Sequence, residues 1–149
     1  MSNIECSYSE KQLIGKGSFG KVYGCNNNDK LVVKIPNEKI TYMDLEFDPD
    51  DKSPTDENKF RMLKKTIASS FLNEENYFRH AITSKTPDKM FEYVIKLFQC
   101  DLTHVVMYRC DYTLDNLPRE IILNNLMDIT TLLMKGIHHL YIFCDHTNI

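Results

Sequence analysis

The stretch LIGKGSFGKVYG, residues 13–24, sets three glycines, Gly15, Gly17 and Gly20, between two apolar flanks. A GxGxxG spacing by itself serves dinucleotide-binding folds and also arises by chance. In a dinucleotide fold the glycines open a helix. Here Val22, Tyr23 and Cys25 continue as a strand, and Asn26, Asn27, Asn28 and Asp29, residue types that tolerate left-handed backbone, close a hairpin. The glycines therefore fall at a bend between antiparallel strands. Such a bend can lie over phosphates, because glycine lets backbone amides approach oxygen atoms closely. It can equally be a plain glycine-rich hairpin.

The next strand adds chemistry. LVVKI, 31–35, is fit for burial, yet it carries Lys34 in its middle. An unpaired buried ammonium is costly and needs an anion. From Asn58 to Ile82 apolar residues recur at Phe60, Leu63, Ile67, Phe71 and Phe78, the spacing of an amphipathic helix. Projected at about 100° per residue, Glu74 lies within roughly 20° of the stripe's centre and Glu75 roughly 80° away, so Glu74 is the expected partner of Lys34. YVIKLFQC (93–100) and THVVMYRC (103–110) read as two strands joined by a turn at Asp101 and Leu102. After Pro118 a second helical pattern places Ile122, Leu126, Ile129, Leu133, Ile137 and Leu140 on one face.

Taken in this order, the chain resembles the eukaryotic-type serine/threonine protein kinases. LIGKGSFGKVYG is similar to their glycine-rich loop, and LVVK to the VAIK strand. NEENYF (73–78) looks like the segment of helix C that carries the lysine's glutamate. YVIKL resembles the fourth strand, VVMYRCDYTL the fifth strand and hinge, and LLMKGIHHLY (132–141) helix E. The resemblance covers about residues 10–141 in family order and implies an α+β fold: a five-stranded antiparallel sheet with one long helix, then a short helical stub of the second lobe.

What the resemblance implies is an ATP site with magnesium carried on the nucleotide. Its residues would be Ile14, Gly15, Lys16, Gly17, Ser18, Phe19, Gly20, Val22, Val32, Lys34, Glu74, Met107, Tyr108 and Cys110. Lys34 would hold the α and β phosphates, Met107 would be the gatekeeper, and Tyr108 to Cys110 would face the adenine edge. Val32 stands where the family usually has alanine, which crowds the roof over the base. IFCDHTNI (142–149) occupies the place of the family's HRDxxxxN loop, with Asp145 as candidate base and Asn148 as candidate magnesium ligand. They are three apart where that motif needs five, and no later aspartate stands in for DFG. Phosphoryl transfer by the chain is therefore not expected.

The expected organisation is a nucleotide-binding lobe over 8–110, with DLEFDPDDKSPTDE (44–57) as an exposed acidic insertion, and a hinge with an incomplete helical lobe over 111–149. With nothing downstream to cover it, the stripe of the last helix, together with Leu123, Met127, Leu132 and Tyr141, is expected to meet either the N-terminal lobe or a partner protein, a kinase or kinase substrate. Three functions follow: a degenerate kinase-like regulator that binds ATP, a truncated copy or fragment of an active kinase, or an interaction module without nucleotide.

Composition fits a folded domain. The 149 residues are 42% hydrophobic and 26% charged, and the net charge of −3 gives no footprint for nucleic acid or an anionic membrane. The N-terminus has neither the basic start nor the apolar stretch of a secretory signal, and no segment is long and uncharged enough to span a bilayer, so the protein is read as intracellular, cytoplasmic or nuclear. Cys6, Cys25, Cys100, Cys110 and Cys144 are odd in number and form no CxxC pair, so reduced thiols are expected. His138, His139, Cys144 and His146 have no recognisable metal-site spacing.

Overall fold

The computed structural model describes residues 4–48, 55–84, 91, 94–112 and 116–147, with the backbone alone for 139–147. Five strands form one antiparallel sheet: β1 (Leu13–Lys16), β2 (Gly20–Cys25), β3 (Asn28–Pro36), β4 (Leu97–Cys100) and β5 (Val105–Tyr108), in the order β1-β2-β3-β5-β4. One long helix, α1 (Asp56–Thr83), precedes β4, and α2 (Arg119–Asn124) and α3 (Leu126–Thr147) follow β5. The fold is α+β. β4 is shorter than the apolar run before it because its partner ends at Tyr108: Leu97 stands opposite Met107, and the chain before Lys96 runs past the end of β5.

The period of two in β3 separates two cores. Leu31 and Val33 join Tyr23, Cys25 and Val106 on one face, while Val105 and Cys100 pack with Ile67, Ala68 and Phe71 of α1 on the other. Val32 and Lys34 belong to the helix side of that alternation. The far face is covered by the N-terminal segment, where Ile4 and Cys6 pack on the second core and the Tyr8 and Tyr23 rings lie 5.1 Å apart.

That segment corrects the reading of the thiols. Cys6 and Cys25 are joined in a disulfide, their Cα atoms 5.1 Å apart. The backbone brings them together: Asn26 N donates to Ser7 O at 2.7 Å, and the Asn27 side-chain amide donates to Glu5 O. Spacing along the chain carries no sign of this pairing, which depends on the hairpin folding back beside residues 5–7. Cys100 is free and buried, Cys110 free and exposed. The hairpin itself uses no left-handed residue, since every described residue has negative φ.

The segment 44–57 also differs from an exposed insertion. Tyr42–Glu46 forms a short 3-10 helix against α1, Leu45 packs on the core, and Phe47 is buried under the Arg61 guanidinium, 4.0 Å from its ring centroid. Asp44 pairs with Lys64 at 2.9 Å, and Lys65 Nζ donates to Phe47 O at 2.7 Å. This strap along α1 thus meets the helix's basic side through one acid, Asp44, one backbone carbonyl and one aromatic ring. Asp56 and Glu57 open α1, capped by Thr55, whose hydroxyl accepts from Asn58 N at 3.1 Å. Residues 49–54 lie outside the described residues.

Burial along α1 begins at Ile67; Phe60 and Leu63 stay exposed. After Pro118 the helical pattern is divided at Asn125, whose side-chain amide turns back to Ile121 O at 2.9 Å. The expected apolar face is largely in solvent: Leu126, Met127, Leu133, Met134 and Ile137 are each at least half exposed. No described helix is long and apolar enough to cross a membrane.

Gly20 is required where β2 and β3 approach. A Cβ there would lie 2.6 Å from Ile35 O, a backbone atom, whereas a Cβ on Gly15 would meet nothing within 4 Å. Gly20→Ala is therefore expected to lower stability by about 1–3 kcal/mol in urea unfolding, and Gly15→Ala to leave the urea midpoint unchanged.

Candidate functional site

The site is built at the middle of β3. In register, Val22 stands opposite Lys34 on one side and Val105 on the other, while Val32 stands between Gly24 and Met107. Lys34 Nζ lies 4.9 Å from the Phe71 ring centroid and donates to Glu74 Oε1 of α1. Both charged side chains retain some solvent access, 20% for Lys34 and 30% for Glu74, so the pair sits at the rim of the sheet–helix seam. A strand fit for burial thus tolerates its ammonium by reaching an anion and an aromatic face at the same time.

The fully buried carboxylate is the neighbour. Glu75 is 2% exposed; its Oε2 accepts from the Tyr42 hydroxyl at 2.7 Å, and its Oε1 accepts from Arg79 Nε at 2.9 Å and from Arg79 Nη2. The helical projection missed this because α1 is covered on two sides. Glu74 faces the rim of the sheet; Glu75 faces the strap. The hydrogen bond to Glu75, with burial and the neighbouring negative charge, holds the Tyr42 phenol above its ordinary pKa. The same carboxylate, through its hydrogen bond and charge, raises that of Arg79. Burial, reinforced by the charges of Glu74 and Glu75, pushes the Cys100 thiol up to about 12, which leaves it chemically inert.

Over this face lies the glycine loop. Gly15 pairs with Val22 and Lys16 with Lys21, and Gly17 N donates to Gly20 O at 2.9 Å across the bend. Ser18 and Phe19 at the tip are exposed, and Ile14 is half exposed on β1. Val32 is only 5% exposed. A planar ligand would therefore find apolar contact from Ile14 and the partly open Val22 rather than from Val32.

At the other end, Tyr108 N donates to Lys96 O and Arg109 N to Lys30 O, leaving the Cys110 amide without a partner among the described residues. Tyr108 is half exposed and its ring meets Phe98 edge-on, 5.0 Å between centroids.

Loop, Lys34, Glu74, Val22 and Met107 are thus brought together. The candidate base is not. Asp145 falls within the last turns of α3, in helix rather than in a catalytic loop, and Asn148 lies outside the described residues. No three His, Cys, Asp or Glu side chains converge among the described residues. Two concavities among the described residues lie elsewhere: a groove of about 410 Å³ on α3 lined by residues including Met127, Thr131 and Met134, and one of about 260 Å³ beside Pro36 and Leu102. Neither brings ionisable groups into a catalytic arrangement.

No family model, curated protein or solved structure matches this chain.

The two adjacent glutamates are separable by experiment. Glu75→Ala removes a buried carboxylate with its hydrogen bonds to the exposed Tyr42 and Arg79 and leaves a cavity against the core, and is expected to cost about 2 kcal/mol. Glu74→Ala acts at a part-exposed pair and is expected to cost about 1 kcal/mol. Urea unfolding of the two variants checks the order.

The strap has a pH signature. Burial would raise the Asp44 carboxyl, but hydrogen bonds from Lys64 and Thr41 and the Lys64 charge outweigh it and hold its pKa below the ordinary 3.8. A depressed folded pKa contributes stability that is fully present above 3.8 and is lost as pH falls through the folded value. The deficit in melting temperature of Asp44→Asn is therefore expected to be constant above that pH and to shrink below it.

Proposed function

We propose that this chain is a protein-kinase-like ATP-binding lobe that acts through nucleotide and protein binding rather than by phosphoryl transfer. The observation that carries the reading is the meeting of Lys34 and Glu74 beside the end of a glycine bend, where Gly20 approaches Lys34, on the sheet face that also presents Val22 and Met107. An ammonium fixed by a carboxylate at the rim of a cleft is placed to receive a polyphosphate, with loop amides approaching from above. The Cys110 amide, without a partner among the described residues just beyond β5, would donate to the edge of the base. The donor set suits a nucleotide. It suits a resident metal poorly, because the described residues assemble no ligand cluster and Glu74 is already engaged by Lys34. Magnesium would arrive on the phosphates.

Transfer needs carboxylates on the metal and a base at the acceptor hydroxyl. The backbone of Asp145 belongs to the last turns of α3, and no catalytic role is proposed for it. Protein binding is supported by α3, whose Leu126, Met127, Leu133, Met134 and Ile137 leave a broad apolar surface. A kinase or a kinase substrate is the partner that the lobe's shape would suit.

A second reading, an interaction lobe that has lost its nucleotide, is favoured by one observation: Val32 is already covered where a base would lie.

Thermal unfolding with and without Mg-ATP separates the two. Binding to the folded state alone at a hundredfold excess over Kd stabilises by about 2.7 kcal/mol. A rise of several degrees for the parent, absent in Lys34→Ala, is the expected result. No shift in the parent at millimolar Mg-ATP supports the second reading, and transfer of labelled γ-phosphate by the purified chain would overturn the claim that it does not catalyse.

A further inference from the structure

Asn37, just beyond β3, is bonded to the glycine loop three times. Its side-chain Nδ2 donates to Gly17 O at 2.9 Å and to Ser18 O at 3.0 Å, and its backbone N donates to Phe19 O at 3.1 Å. The orientation of the amide is forced, because the reverse would set Oδ1 against two carbonyl oxygens. Oδ1 is buried and has no hydrogen-bond partner among the described residues. A buried orphaned acceptor is destabilising, so the position holds an amide for what its donor half does.

The effect on the loop follows from peptide geometry. In a planar trans peptide the next N–H points opposite to the carbonyl. Holding the carbonyls of Gly17, Ser18 and Phe19 toward Asn37 turns the amides of Ser18, Phe19 and Gly20 away from it, as a row of donors. Neither Gly15 nor Gly17 has close neighbours to fix the loop, since an added Cβ would meet nothing at Gly15 and only Gly20 O, at 3.9 Å, at Gly17. The bend is otherwise held by the single bond from Gly17 N to Gly20 O.

We propose that Asn37 is a positioning residue that latches the glycine loop, presenting its amides in a fixed arrangement to the phosphates of a nucleotide. The proposal rests on the nucleotide reading above for its ligand, but the latch itself is testable without one. Preorganisation raises affinity by removing the ordering cost at binding.

The test uses the full chain, with Asn37→Asp, nearly isosteric but without the two side-chain donors, alongside Asn37→Ala. Hydrogen exchange without nucleotide is expected to speed up about tenfold in both variants at the loop amides that are bonded in the latched bend, those of Gly17 and of position 37, while α1 amides stay protected, which also shows that the variants fold. Calorimetric titration is expected to show ATP affinity about tenfold lower, the loss of one to two net hydrogen bonds, with adenosine affinity unchanged because adenosine has no phosphates for the loop to meet. Unchanged loop exchange in Asn37→Asp overturns the latch. Equal losses for ATP and adenosine overturn its role toward phosphate. If the parent binds neither ligand, the nucleotide reading falls, and loop exchange alone decides the latch.

Discussion

A positive charge in the middle of β3 constrains the rest of the molecule. Lys34 stands on the helix side of the sheet, among residues that are otherwise apolar, and reaches Glu74 while lying over the Phe71 ring. The side chain can be accommodated only if α1 lies across the sheet with that carboxylate at its rim. Ile67, Ala68 and Phe71 then fill the space against Val105 and Cys100. The ion pair sets where the helix sits, and apolar packing supplies most of the energy that keeps it there.

The helix is held from its other side as well. The strap at Tyr42–Glu46 reaches α1 through Glu75, Lys64 and Lys65, and Phe47 is sealed beneath Arg61. Two neighbouring glutamates therefore have different surroundings: one faces a cleft and keeps contact with water, the other is enclosed by a phenol and a guanidinium. The open one can respond to a ligand's charge, and the enclosed one fixes the frame.

Much of this was legible in the sequence, and the limits have physical causes. The strand–bend–strand order around Gly15–Gly20 could be read because glycine spacing and strand alternation are local. The placement of Glu74 could be read because α1 follows its period. Glu75 was missed because its burial depends on a segment 33 residues earlier, whose acids and prolines read as solvated loop. What Arg61, Lys64 and Lys65 meet comes likewise from another part of the chain, which no local pattern of basic residues can show. The clamp by Asn37 was equally silent, since a lone asparagine after a strand has no pattern.

The link between Cys6 and Cys25 encloses β1, the glycine bend and the whole of β2 in one covalent ring. In the denatured chain such a ring of about 20 residues forbids most extended conformations, worth about 3 kcal/mol on a chain-entropy estimate. Because the ends of the hairpin never drift far apart, its re-formation is a local event rather than a search through the whole polymer. The part of the molecule with the most glycine, and so with the most freedom to lose on folding, is also the part whose freedom is restricted before folding begins.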